Sequence, residues 1–204
     1  MELVIAMAIT LVVMSVASKL LATSFRIRSR ENARTDSIAD VQRGLNIMTR
    51  EIAIGGYGFD PSSNGLVVGD SDASSIRVRS NLNRFTDGST TIESANEDVK
   101  FVVDTTNGQN YLVRFDRFAT GSQATVLANR IDDLAITYWS PTNTALDVGA
   151  DPSQVANAVG VRVTVSVNLD AVGTRGSPGY QPATTMQLSS DVTLRNKSQN
   201  LTTY

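Results

Sequence analysis

Residues 3–18 read LVIAMAITLVVMSVAS, an apolar run with no charge, glycine or proline. Its only polar side chains are the hydroxyls of Thr10, Ser15 and Ser18, which can bond back to the carbonyls of their own helix. Lys19 interrupts the run and LLATSF carries the apolar character on to Phe25. As a helix, residues 3–25 would be about 34 Å long, enough to cross a bilayer core. Residues 3–18 alone would reach about 24 Å, too short unless Lys19 snorkels to the headgroups. Glu2 opens the run, and a carboxylate beside lipid is costly unless something neutralises it. Further on, Ile38, Val41, Leu45, Met48 and Ile52 recur at steps of three and four, a narrow apolar helical stripe. Gly55 and Gly56 then supply a helix stop. The pattern predicts one helix from Glu2 to residue 54, about 80 Å long. Its second half is expected to pack on a head and its first half to protrude.

Beyond residue 56 the period changes to two. Val161, Val163, Val165, Val167 and Leu169 alternate with Arg162, Thr164, Ser166 and Asn168. Leu188, Val192 and Leu194 alternate with polar residues in the same way. Tyr111, Val113 and Phe115 mark one more strand and Ile76 with Val78 a short one, with further candidates at 99–104, 125–127 and 134–139. Asn107-Gly108 is a hairpin signal. Residues 60–65, 141–152 and 173–182 read as loops by composition, and no internal repeat is present. The prediction is α+β: a long N-terminal helix spine packed on a single β-rich head, the apolar side of one antiparallel sheet covering the 38–52 stripe. The divisions are 1–25 as the hydrophobic half of the helix, 26–54 as the amphipathic half, and 55–204 as the head. Between Arg26 and Arg34 the helix is charged nearly all round, as a solvated neck would be.

Charge separates along the chain. The first 50 residues hold seven basic and four acidic side chains, which leaves 11 of the 18 basic and 16 of the 20 acidic groups, a net of −5. A basic stem under an acidic head does not suggest a nucleic-acid-binding globule, and no nucleic-acid partner is expected. With no His there is no imidazole base or histidine metal ligand, and with no Cys no thiol nucleophile or disulfide. Lys19, Lys100 and Lys197 lie in no phosphate-loop context, and the GGYG of 55–58 lacks the strand–turn–helix setting of a nucleotide loop. Asp70-Ser71-Asp72 offers hard oxygens without the glycine and distal glutamate of a calcium loop, and reads as a solvated turn. Asp132-Asp133 would point to opposite faces of a strand, so they form no carboxylate dyad. Tyr138-Trp139 reads as core and strand edge. Asn196-Lys197-Ser198 and Asn200-Leu201-Thr202 match the glycosylation acceptor pattern. No catalytic residue, cofactor or metal site is expected, and the reading is non-enzymatic.

A secretory signal peptide would begin with basic residues and carry a shorter apolar core, and Glu2 has the wrong sign for one. A plain single-pass anchor has no use for an acid at its tip. Lys19, Arg26, Arg28, Arg30 and Arg34 all follow the run, so the orienting charges are expected upstream. The stretch Met1-Glu2-Leu3-Val4-Ile5-Ala6-Met7-Ala8-Ile9 resembles the start of a mature type IV pilin or pseudopilin. In that family a glutamate opens a hydrophobic helix that is first a membrane anchor and then filament core, after a basic leader is removed. The family's glutamate is fifth in the mature chain; here it is second, so either the leader and about three mature residues lie upstream of Met1 or the processing differs from the family's. Met48-Thr49-Arg50-Glu51-Ile52 with Gly55-Gly56-Tyr57-Gly58-Phe59 resembles the helix end of PilW-type minor pilins. Leu127-Ala128-Asn129-Arg130-Ile131-Asp132-Asp133-Leu134, Val161-Arg162-Val163 and Val192-Thr193-Leu194-Arg195-Asn196 resemble their later strands. The J-type pseudopilins of type II secretion share much of this layout.

The resemblance implies a structural subunit of a type IV pilus-like filament, PilW-like and minor. A major pilin, a type II secretion pseudopilin and a membrane-anchored binding module are the alternatives. Its partners would be other pilin subunits, with the inner membrane and the assembly machinery before polymerisation. Its location would be the inner membrane and then an extracellular filament. Glu2, Leu3, Ile5, Ile9, Leu11 and Val12 would carry assembly, the carboxylate finding the N-terminal amine of a neighbouring subunit.

Overall fold

A computed structural model describes residues 1–60, 62–86, 88–129, 131–177 and 179–197. Ser198 and Asn200-Leu201-Thr202 of the acceptor patterns, and Arg130, lie outside the described residues. The α+β class holds: one helix, α1 (Glu2–Ile54), precedes eight strands in two antiparallel sheets. Residues 2–54 contain no proline and one glycine, Gly44, so nothing breaks the helical backbone. It stops where Gly56 takes φ +78°, a left-handed position that favours glycine, and the Gly56 amide bonds the Arg79 carbonyl instead of continuing the helix.

The first sheet has the order β1 (Ile76–Arg79), β2 (Asp98–Thr106), β3 (Gln109–Asp116), β4 (Ala124–Asn129). Asn107 and Gly108, both at positive φ, form the β2–β3 turn. Between Leu112 and Val113 the β3–β4 register shifts, leaving Leu127 as the extra residue of a bulge. The second sheet runs β6 (Ala145–Leu146), β5 (Asp133–Trp139), β7 (Gly160–Leu169), β8 (Thr184–Thr193). On its polar face Arg162 bonds Asp191, Thr164 bonds Ser189 and Ser166 bonds Gln187, the falling and rising numbers of an antiparallel ladder. The strands thus divide into two sheets where a single one is expected. Residues 141–152, read as loop, include β6 and lead into a 3-10 turn at Pro152–Asn157.

The chain falls into two units, Met1–Asp36 with Asn168–Thr185, and Ser37–Val167 with Met186–Tyr204. In the larger unit Val41, Leu45, Met48 and Ile52 of α1 are buried, and Ile38 is half-buried. Their core also takes Val78, Phe101 and Leu112 from the first sheet, Leu134 and Val163 from the second, and Leu194 just past the end of β8. Alternation explains the choice: Val161, Val163, Val165 and Val167 are all buried, whereas Arg162 between them and Asn168 after them are exposed. Tyr138 is fully buried and directs its hydroxyl at the carbonyl oxygens of Asp72 (3.0 Å) and Ser75 (3.3 Å). In the smaller unit, α1 up to Asp36 carries the segment 168–185.

Candidate functional site

In the smaller unit the apolar half of α1 is bare. Leu3, Ile5, Ile9, Leu11 and Val12 are each between 58% and 72% exposed. None of the most apolar 18-residue window is buried, and its length and composition suffice to cross a membrane. Such a continuous apolar surface requires a cover, either lipid or other protein. Two of the hydroxyls inside it are already satisfied: Thr10 Oγ1 donates to the Ala6 carbonyl (2.8 Å) and Thr23 Oγ1 to the Lys19 carbonyl (2.9 Å). Each hydroxyl therefore adds no unpaired donor to a site without water. Glu2 stands in the first turn of α1, where the helix dipole favours a negative charge. No hydrogen bond or ion pair holds its carboxylate among the described residues.

Above the apolar run, the solvated neck expected from the charges is only partly free. Arg30 Nη1 donates to Gln181 Oε1 (2.9 Å) and Nη2 to the Pro182 carbonyl (2.6 Å). A two-way bridge between Val172 and Gln181, 2.9 Å in each direction, closes the loop that presents these acceptors. Gly179, at φ +81°, lies so near the helix that a Cβ there would collide with Thr23 Cγ2. Nothing in the arginine spacing signals this contact, although the glycines of GTRGSPGYQP do permit a close approach.

No protein-family model matches this chain, and no curated protein matches it. The chemistry of the larger unit must therefore be read from its own side chains. Asp70 is engaged by Arg77 (2.6 Å) and Lys100 (3.1 Å), and these bonds, Arg77's foremost, hold its carboxyl below the usual value. Asp72 caps a turn, accepting from the Ser74 amide (2.6 Å) and the Ser75 amide (2.7 Å). These two carboxylates are committed to folding contacts and do not converge. Glu97, 1% exposed, accepts four backbone N–H bonds, from Leu82, Asn83, Glu93 and Ser94. A buried acid satisfied four times over organises its loop and has no lone pair left for a substrate.

A groove of about 770 Å³ lies between the end of α1 and the end of β8, lined by Thr49, Arg50, Tyr57, Thr193 and Arg195 among others. Asn196 closes one side, its amide bonding the Ile54 and Gly55 carbonyls. Asp191 on its wall is held by Arg162 through two bonds of 2.6 and 2.9 Å. Among the described residues neither Arg50 nor Arg195 makes a hydrogen bond or ion pair. The groove has a net positive lining, a feature that the dispersed sequence positions of 50 and 195 do not signal.

Proposed function

We propose that this chain is a structural, non-enzymatic subunit of a type IV pilus-like filament, resident in the inner membrane before assembly and exposed at the cell surface afterwards. One observation carries the reading: an uncovered apolar helix of membrane-spanning length, opened by a carboxylate, belongs to a chain whose larger unit is α+β with its own core. Lipid can cover that helix first and neighbouring helices afterwards, so burial of residues 3–25 supplies most of the assembly energy. Glu2 then sets register, because a carboxylate between packed helices requires a cation, which the N-terminal amine of the next subunit would provide. The resemblance of 48–59 and 127–134 to PilW-type minor pilins favours a minor role, at initiation or at the tip. Major pilin and secretion pseudopilin roles use the same assembly physics.

The test is fibre imaging with Glu2→Ala, whose larger unit is expected to stay folded while entry into filaments is lost or slowed. Normal incorporation of that variant would remove the proposal. The cationic groove favours a second reading, a membrane-anchored binding module. In that case the protein would stay monomeric in the membrane while binding a ligand.

A further inference from the structure

We infer that the β7–β8 loop is a second membrane contact, which binds the headgroups of anionic phospholipid beside the point where α1 leaves the bilayer. The inference rests on the anchoring reading and adds to it a ligand and a site. Thr23, Ile27 and Arg30, spaced by four and three, share one helix face, and the loop lies along that face within the smaller unit. Arg30 holds the loop through Gln181 and Pro182, and Gly179 rests against Thr23 and near Ile27. Thr23 belongs to the apolar run that ends at Phe25. From Phe25 to Arg30 the axis rises about 8 Å. The headgroup layer on each side of a bilayer is about 5–8 Å thick. With the apolar run in hydrocarbon, the loop reaches from the hydrocarbon edge, where Gly179 meets Thr23, through the depth of the headgroups at Arg30.

Charge and residue type agree with that depth. Lys19, Arg26 and Arg28 of the helix and Arg175 of the loop make no hydrogen bond or ion pair among the described residues. The acids of the same unit near this level are Glu31, which lies 3.9 Å from Arg34, and Asp170. Unpaired cations at a lipid surface attract anionic headgroups, and half-buried Tyr180 is a residue type that favours the interface. The exposed Thr174 hydroxyl and the glycines of 173–177 suit hydrogen bonding to phosphate, while the Ser177 hydroxyl closes the turn by donating to the Thr174 carbonyl (2.6 Å).

The chain has no cysteine, so single nitroxide labels can be placed on the full protein. Thr174→Cys reports the loop and Val12→Cys the anchor, in vesicles of phosphatidylglycerol and phosphatidylcholine containing a trace of nickel-chelating lipid. The expected result is that dissolved oxygen relaxes the label at residue 12, while headgroup nickel relaxes the label at residue 174. Adding Arg175→Gln should lower the headgroup-contact population about fivefold, the worth of one cation at an anionic surface. Adding Gly179→Val, which cannot dock on Thr23, should lower it too. A residue-12 label in lipid with a residue-174 label relaxed only by a water-soluble nickel complex overturns this inference and leaves the anchor intact. A residue-12 label in water overturns both.

Discussion

The guanidinium of Arg77 lies against the carboxylate of Asp98 through two short bonds, Nε to Oδ1 at 2.6 Å and Nη2 to Oδ2 at 2.8 Å. Arg79, directly opposite Asp98 on the neighbouring strand, adds a third bond of 3.1 Å. Arg77 reaches onward to Asp70, and Lys100 meets the other oxygen of that carboxylate. Signs alternate along this chain of contacts, so each charge has a partner. Asp98's side chain is only 3% exposed. Burial alone would push its carboxyl up, but the arginines outweigh it and hold the group below its ordinary value.

Asp98→Asn should therefore destabilise the protein by about 3 kcal/mol at neutral pH, because it leaves Arg79 without its carboxylate and Arg77 with Asp70 alone. Urea unfolding of the detergent-solubilised chain measures this. The pH dependence has a fixed sign: a depressed folded pKa gives stability that is present above the unfolded value of 3.8 and is lost as pH falls through the lower folded value. The natural protein should weaken below pH 3.8, and the asparagine variant should lack that share of the loss.

Arg114 makes the opposite case. Its Nε lies 3.0 and 2.9 Å from the two oxygens of Glu51, joining β3 to α1 inside the larger unit. Burial raises the Glu51 carboxyl, and the Arg114 bonds recover only part of that shift. A raised folded pKa favours the protonated folded state, so this group's contribution is full below its ordinary 4.5 and declines as pH rises through the folded value. Arg114→Met removes the compensating cation. Its cost should be about 3–5 kcal/mol at pH 7 and distinctly smaller at pH 4, where Glu51 can carry its own proton. Equal costs at both values would show that the Glu51 charge does not set the loss, leaving packing and the Arg114 bonds to Asn96 and Asp116 as its source.

These contrasts mark what can be read from the chain. The long helix is legible because 53 residues lack proline and because glycines follow Ile54. Strand β7 is legible because its valines fall on alternate positions, and the β2–β3 turn because Asn107-Gly108 accepts positive φ. The division into two sheets is not legible, since period two reports which face is buried and not which strand lies alongside. Strand β6 has only two residues and no period to detect. The grip of Arg30 on Gln181 and the pairing of Arg77 with Asp98 join positions far apart in sequence, and single charges carry no record of their partners. The apolar run of 3–25 is legible from composition, as 16 residues from Leu3 to Ser18 carry no charge, glycine or proline.

Tyr138 offers a smaller and cleaner test. Its ring is fully buried in the core, and its hydroxyl serves the carbonyls of Asp72 and Ser75 across to the loop before β1. Tyr138→Phe keeps the ring and deletes the donor. The expected loss is about 1–2 kcal/mol, the cost of leaving a buried acceptor without its hydrogen bond. Thermal unfolding measures it, and amide exchange should show faster opening at 72–76.

Residues 3–25 should be sensitive to charge in a depth-dependent way. Val12 lies near the middle of the run and is 63% exposed, so its substitution disturbs no core contact. An arginine there would lie at the bilayer centre, at a cost of about 2.5–3.5 kcal/mol for insertion. A helix that is only an exposed surface feature in water would tolerate Val12→Arg, or gain solubility from it. Membrane fractionation after expression separates the two outcomes: Val12→Arg should shift much of the chain to the soluble fraction. Ala22→Arg, close to the basic neck where a long side chain can reach the headgroups, should leave it membrane-bound. The difference between the two positions matters more than either result alone, since both are exposed positions of one helix that a bilayer would set at different depths.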